Sequence, residues 1–387
     1  MHQDILPRVI FSPGQLGLEL ASGLKRLGVD VTLYSAGPVR TDVRNVHADL
    51  TGFEAELEAR GDSYVELLKK HPLVFISLAR QAQSEIIARA YDAANRDELD
   101  VVHIYTNEED IALPFAKLCQ KPVVFTHHDP FNFLVKYRHV FPKYAACNWI
   151  SLSMAQRTGM PPDTHWVGDI PHGIDETAFT FNGAPQGDYV AYLGRIVEPK
   201  GLHLAVAAVK HYNETAKRPL SLRIAGKHYS GSFDGYYAKK IAPLVDGATI
   251  RYDQHIGDRA ELGRWLGNAR ALLVPSVFDE PFGMVMIEAL ACGTPVIGLD
   301  SGAIPEVVEE GVTGFVVSKH MKESIDPRAG HMKMLVDEAP TVAAMAAALG
   351  RVGEIDRSVC RRQFERRFTS ARMCRDHVEV YQKLVRG

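Results

Sequence analysis

Cysteine is scarce and scattered. The 387 residues hold five (Cys119, Cys147, Cys292, Cys360, Cys374), with no C-x-x-C spacing among them. That excludes a disulfide framework and a cysteine-based zinc site. A charge surplus is also missing: 44 Lys and Arg stand against 47 Asp and Glu, a formal net charge of -3. A strongly basic nucleic-acid binder or a polybasic membrane surface would carry an excess of cations. No apolar run reaches the ~18–20 residues that span a bilayer. The opening Met1-His2-Gln3-Asp4-Ile5 has no basic stretch followed by an apolar one, so no secretion signal is expected. These absences predict a cytoplasmic protein with at most peripheral membrane contact and no nucleic-acid partner. A monomer or homodimer is expected.

What is present is an alternation of short β-branched runs with longer amphipathic stretches. Strands are expected at 8–12, 29–34, 73–77, 100–105, 122–126 and 148–151, with helices at 15–27, 53–70, 78–94 and 110–118 between them. The pattern repeats, with strands at 189–193, 221–225, 249–252, 271–274 and 295–298. Helices are expected there at 201–215, 234–244, 259–268 and 283–291. Near-continuous apolar strands separated by helices read as parallel βαβ units. The chain is therefore expected to be α/β, with two doubly wound Rossmann-like domains. The joint falls at the Gly-, Pro- and Asp-rich stretch 166–174, giving domains 1–168 and 169–368. Residues 318–340 read as a surface insertion, and a last helix is expected over 369–384.

Four stretches carry chemistry. At the first strand–helix junction, Gly14 and Gly17 are spaced three apart, which is not the G-x-G-x-x-G dinucleotide fingerprint. In Gly194-Arg195-Ile196-Val197-Glu198-Pro199-Lys200-Gly201, two cations near a helix start suit a diphosphate: Arg as a fork, Lys as a point charge. Ordinary surface cations are the alternative. In Pro275-Ser276-Val277-Phe278-Asp279-Glu280-Pro281-Phe282-Gly283-Met284-Val285-Met286-Ile287-Glu288, a strand runs through an acid, a Pro and a Gly into a helix. The first-turn N–H groups can meet an anion or sugar oxygens. Glu288, set among apolar neighbours, calls for a partner. Finally, Thr126-His127-His128-Asp129 ends a predicted strand, the edge at which open α/β sheets bind ligands. A metal site there is disfavoured, because adjacent strand residues point to opposite faces.

Taken together, Glu-Pro-Phe-Gly with Glu288 eight positions after Glu280, the Gly-Arg…Lys-Gly stretch, the Thr-x-His-Asp stretch, Gly302–Glu306 and Gly311–Phe315 resemble the retaining GT-B glycosyltransferases of the glycosyltransferase 4 (glycosyl transferases group 1) family. The resemblance implies a GT-B fold: two Rossmann-like domains facing a cleft, with the final helix, 369–387, crossing back to the first. It implies an acceptor-binding first domain and a donor-binding second one. The activity implied is transfer of a hexose from a UDP- or GDP-sugar to an acceptor hydroxyl with retention and without a metal or other cofactor. Arg195 and Lys200 would hold the diphosphate, Glu288 the ribose, and Glu280 with the main chain of Pro281, Phe282, Gly283, Met284 and Val285 the sugar. Gly226, Lys227, Gln254 and His255 would lie near the base, with Gly194 at the phosphates and Gly14 and Gly17 approaching from the first domain. His128 would touch the sugar or acceptor, with His127 as the alternative, and Asp129, Phe131 and Asn132 would lie on the acceptor side. The acceptor is either soluble or lipid-linked. Residues 1–170 hold 17 Lys and Arg against 21 Asp and Glu, which leans towards a soluble one. A non-catalytic nucleotide-sugar binder, or another GT-B activity such as an epimerase or phosphorylase, is the alternative reading.

Overall fold

The computed structural model describes residues 12–105, 109–228, 235–325 and 332–386. The chain divides into two compact units, one of Met1–Pro171 with Ser370–Gly387 and one of His172–Thr369.

The first unit runs α1 (Ser12–Arg26), β1 (Thr32–Ser35), β2 (Arg44–His47), α2 (Thr51–Arg60), α3 (Tyr64–Lys70), α4 (Pro72–Asn95), β3 (Val102–Ile104), α5 (Glu109–Ala112), β4 (Val123–Thr126), α6 (Val135–Val140), β5 (Asn148–Ser151) and β6 (Trp166–Asp169). β3-β4-β5-β6 form a parallel sheet in that order, and β1 pairs with β2 in a parallel two-stranded one. Alternation splits the larger sheet's side chains between two cores. Val123, Phe125 and Trp149 face one, while Val124 and Ile150 face the other. That second core is closed by α1 (Leu20, Leu24) and the C-terminal helix Ser370–Arg386 (Met373, Cys374, Val380, Tyr381). The two helices meet closely at Gly23, where a Cβ would lie 2.2 Å from Cys374 Sγ.

Four expectations fail in this unit. The helix expected at 53–70 is split into α2 and α3, because Gly61, at a left-handed φ of 64°, ends the first and Ser63 caps the second. That expected at 110–118 is α-helical only to Ala112 and continues as a 3-10 turn, Leu113–Leu118. The run 73–77 is helical, because Pro72 takes the first position of α4, where its missing N–H and fixed φ suit a helix start. Gly14 and Gly17 do not form a turn; both are buried inside α1, which already includes Ser12. The strand expected at 8–12 otherwise lies outside the described residues.

The second unit runs β7 (Tyr189–Leu193), α7 (Leu202–Asn213), β8 (Ser221–Ala225), β9 (Ile250–Tyr252), α8 (Arg259–Asn268), β10 (Leu272–Val274), α9 (Met284–Ala291), β11 (Val296–Leu299), α10 (Ile304–Val307) and β12 (Gly314–Val317). It continues with β13 (Met321–Ile325), β14 (Met332–Val336), α11 (Glu338–Arg351) and α12 (Arg357–Arg367). Six parallel strands are ordered β9-β8-β7-β10-β11-β12. The chain starts in the middle at β7, winds outwards to β9, then returns to β10 and winds the other way. This is the 3-2-1-4-5-6 order, whose switch point lies between β7 and β10.

The segment 318–340 holds an antiparallel hairpin, β13–β14, followed by the start of α11. The helix expected at 234–244 is instead, over the described residues, a π turn (Tyr237–Ile241) and a 3-10 turn (Ala242–Leu244). Pro243 has no N–H to continue a ladder.

Candidate active site

The topology singles out one place in the second unit. Arg195 and Lys200 follow β7, and Glu280 follows β10, the two strands that flank the switch point. The strand ends beside them are tied by main chain. Gly194 N donates to Ala225 O (3.1 Å), Gly226 N to Gln254 O (2.8 Å) and Ile196 N to Lys227 O (2.9 Å). A Cβ at Gly226 would sit 1.8 Å from Gly194 O, so only glycine permits that approach. Gln254 itself takes a left-handed φ of 64° at the end of β9. Gly194, Gly226, Lys227, Gln254 and His255 are thereby gathered at one edge of the sheet. Burial, with the Lys227 cation beside it, lowers the His255 pKa from its ordinary value. Arg195 is exposed, while its carbonyl accepts from Tyr192 Oη (3.1 Å).

Lys200 and Glu280 meet directly. Lys200 Nζ donates to Glu280 Oε1 at 2.5 Å, and Ser276 Oγ donates to the same oxygen at 2.6 Å. The carboxylate is 5% exposed, so its charge is balanced by the ammonium rather than by water. Lys200 also lies 4.7 Å from the centre of the Phe278 ring, a cation–π contact. Gly201 crosses β10 so closely that a Cβ would fall 1.9 Å from Pro275 O, which draws the cation turn onto the strand that leads to Glu280.

Beyond Glu280 the loop turns into α9. Gly283, at φ 91°, caps the helix start. Pro281, Met284, Val285 and Glu288 are half-buried on this segment. Phe282 departs from the rest. Its ring is buried edge-on to His172 (5.2 Å) and Phe368 (5.9 Å), which leaves only its main chain for a ligand.

In the first unit, Thr126-His127-His128-Asp129 leaves the C-terminal end of β4. His127 is fully buried. Its Nδ1 lies 3.1 Å from Glu109 Oε2, and its ring packs on Phe131, Tyr137 and Phe141 at 4.5–5.1 Å. Burial raises the Glu109 carboxyl pKa above its ordinary value, against the pull of His127. Phe131 does not line an open face: it is wholly buried in the aromatic core with Phe141 and Trp149. Asn132 is exposed and Asp129 half-buried. His128 is 8% exposed, with Tyr105 edge-on to its ring at 4.5 Å.

Sequence reading missed the groups that hold these residues. Gln156 Nε2 donates to His127 O (2.8 Å) and Asp129 O (3.1 Å), bracketing the His128 main chain. His103 bridges Thr126 Oγ1 (2.8 Å) and Tyr381 Oη (2.7 Å), so the C-terminal helix reaches the end of β4. Glu109, Tyr105 and His377 join this cluster from separate elements, and no local spacing marks them. Ser276 was at least visible within a motif. Among the described residues, no group of three or more His, Cys, Asp or Glu side chains is placed to hold a metal ion. No described helix is long and apolar enough to cross a membrane.

Comparison with known proteins agrees with this picture. The profile for "Glycosyl transferases group 1" matches residues 175–338, which lie within the second unit. Alpha-maltose-1-phosphate synthase of Mycobacterium tuberculosis (strain ATCC 25618 / H37Rv) is 28% identical over 256 residues, covering 61% of this chain. The match spans 62% of that relative's length. D-inositol 3-phosphate glycosyltransferase of Jonesia denitrificans is 30% identical over 179 residues, 42% of each chain. Among solved structures, sucrose-phosphate synthase from Thermosynechococcus elongatus superposes with a TM-score of 0.66 at 19% identity, over 95% of this chain and 92% of that one. Anabaena HepE in complex with UDP gives 0.65 at 16%, over 97% of each. The fold is GT-B, and residues 175–338 match the glycosyl transferases group 1 family of glycosyltransferases.

Proposed function

We propose that the protein transfers a hexose from a nucleotide-diphospho-sugar to an acceptor hydroxyl, with retention of anomeric configuration and without a divalent cation. The carrying observation is the placement of Arg195, Lys200 and Glu280 after the two strands that flank the switch point. Cleaving the sugar–phosphate bond builds negative charge on the departing diphosphate while the sugar becomes oxocarbenium-like. Arg195, Lys200 and the N–H groups at the start of α9 supply fixed positive potential for that charge, the task a metal performs elsewhere.

Glu280 has one oxygen committed to Lys200 and Ser276, and the other is the one for a sugar hydroxyl. Lys200 is thereby held by one anion and shared with the diphosphate when donor arrives. Glu288 takes the ribose hydroxyls. Lys227, Gln254 and His255 face the base, with Gly194 and Gly226 letting the ligand close on the main chain. In the first unit His128 is the group for the sugar or acceptor, with Asp129 and Asn132 beside it.

The names of the relatives set the first panel. HepE was solved with UDP-glucose, and the D-inositol 3-phosphate enzyme acts, by name, on a phosphorylated small molecule. UDP- and GDP-hexoses with soluble phosphorylated acceptors are therefore tried first. Nucleoside diphosphate release that rises with acceptor, persists in EDTA and yields a product of unchanged anomeric configuration by NMR is the expected outcome. Nucleotide binding with no release across the panel sinks the enzymatic reading in favour of a binding protein. Activity lost in EDTA and restored by Mg²⁺ or Mn²⁺ sinks the metal-free mechanism.

A further inference from the structure

The loop that carries Glu280 is also tied down by Gly302 and Ala303, which open one of the sequence motifs, and by Ser301 and Lys319, which lie outside them. Ser301 Oγ donates to Phe278 O (2.9 Å) and lies 3.2 Å from Asp279 Oδ1. Ala303 N donates to Glu280 O (2.8 Å). Gly302, at φ 57°, presses so closely that a Cβ would come within 2.3 Å of Glu280 N and O. Into this seam reaches Lys319, from the stretch between β12 and the β13–β14 hairpin.

Lys319 Nζ donates to Val277 O (3.2 Å) and Ser301 Oγ (3.1 Å), and stands 3.7 Å from Asp279 Oδ1. An ammonium has three donors in a compact head, and here three loop and turn oxygens surround it. The side chain is 18% exposed, so it is not a solvated surface lysine but a cation spent on holding one turn. Val277 and Asp279 bracket the turn, and Glu280 follows directly.

We propose that Lys319 is a positioning residue that fixes the 277–280 turn, and with it the Glu280 carboxylate, in the geometry needed for the sugar. The consequence for catalysis rests on the donor-site reading above; the holding of the turn does not. A catalytic carboxylate displaced by an ångström loses much of its effect while nucleotide affinity, carried by Arg195 and Lys200, persists. The stretch that leads into the hairpin thus bears on the donor site, although segment 318–340 reads in sequence as a surface insertion.

The test compares the full-length protein with Lys319→Met, Lys319→Arg and Ser301→Ala. Amide hydrogen exchange is followed in peptides covering 276–284, alongside UDP and GDP titrations and steady-state turnover of the donor. In Lys319→Met, exchange across this stretch is expected to quicken about tenfold, with little change in the remaining strands of the second unit. Diphosphate affinity should stay within about threefold while kcat falls tenfold or more. Lys319→Arg should recover most of both, and Ser301→Ala should reproduce a milder version should the methionine variant fold poorly. Unchanged exchange in both Lys319→Met and Ser301→Ala overturns the clamp, whatever the activity. Faster exchange with unchanged kcat and KM overturns its role in positioning Glu280. A wild-type protein that turns over no donor removes the donor-site reading instead, and the exchange data still decide whether Lys319 holds the turn.

Discussion

The two units share a parallel α/β plan but present polar groups in opposite ways. At the strand ends of the second unit stand ionisable side chains of both signs, Arg195, Lys200 and Glu280, set in a frame of close main-chain contacts at Gly194, Gly201, Gly226 and Gly302. In the first unit the corresponding edge holds His103, His127, His128 and Glu109 in or near a dry aromatic interior. Burial pushes the His103 pKa well below the ordinary value, and that of His377 to about 4, so both are neutral near pH 7. One unit offers fixed charge, suited to a diphosphate. The other offers buried imidazoles, of which His103 and His377 are held neutral, a setting suited to hydroxyl groups rather than to a diphosphate.

If that contrast is right, removing charge from the second unit is the most damaging change. Arg195→Ala with Lys200→Ala should cut turnover by about three orders of magnitude, since losing a single preorganised donor commonly costs 10²–10³. Losing Lys200 also leaves Glu280 buried without its cation, so the melting temperature should drop by several degrees as well. Near-normal kcat/KM in the double variant breaks the contrast outright. His128→Ala should cost less, roughly 10²-fold, with nucleoside diphosphate affinity unchanged by calorimetry. An equal loss of nucleotide binding would place that histidine's role elsewhere.

Next in size is the frame itself. Gly226→Ala drives a methyl group into Gly194 O, and the strand ends of β7 and β8 must part. The expected loss is about 3 kcal/mol of stability together with most nucleotide affinity. Trp265 is the second unit's tryptophan and reports on it by fluorescence. A variant as stable as wild type would mean that the frame yields, and that the glycines matter for something other than close approach.

The same contrast explains what could be read in the sequence. The second unit was legible because its chemistry is local. Arg195 and Lys200 share one turn, Glu280 and Glu288 share one loop and helix, and glycines mark each strand end. Its sixth strand, Gly314–Val317, was not expected: it opens on a glycine, a poor strand former, and Gly314 is there because it packs directly against Val296 O. The first unit was legible only at Thr126–Asp129. Its supporting groups come from β3, α5, the turn after β5 and the C-terminal helix, and the His103–Tyr381 hydrogen bond spans 278 residues of chain. No window of sequence contains that pair. The run 73–77 misled for a related reason: β-branched and aromatic residues suggested a strand, but Pro72 and the tertiary setting decide for helix, leaving Leu73 80% exposed.

The smallest effect expected is a pH response confined to the first unit. His377 Nδ1 donates to Met373 O (2.8 Å), while its buried Nε2 has no hydrogen-bond partner among the described residues. Protonation would put a cation there with no acceptor and with Arg372 nearby. The folded pKa lies below the unfolded value near 6.5, so the unfolded chain binds the proton first. Stability is therefore present above pH 6.5 and is lost as pH falls towards 4, by about 2 kcal/mol at pH 5 for this one group. His103 acts in the same direction. Glu109 acts in the opposite one: its raised pKa destabilises the fold as pH rises above its ordinary value, which opposes the histidine slope. A Trp265→Phe background isolates the signal, since Trp149 and Trp166 both belong to the first unit. Thermal unfolding there should weaken between pH 7 and 5, and His377→Leu should flatten that slope. An unchanged slope in the leucine variant would mean that Nε2 finds an acceptor on protonation, and the first unit would then tolerate charge much as the second does.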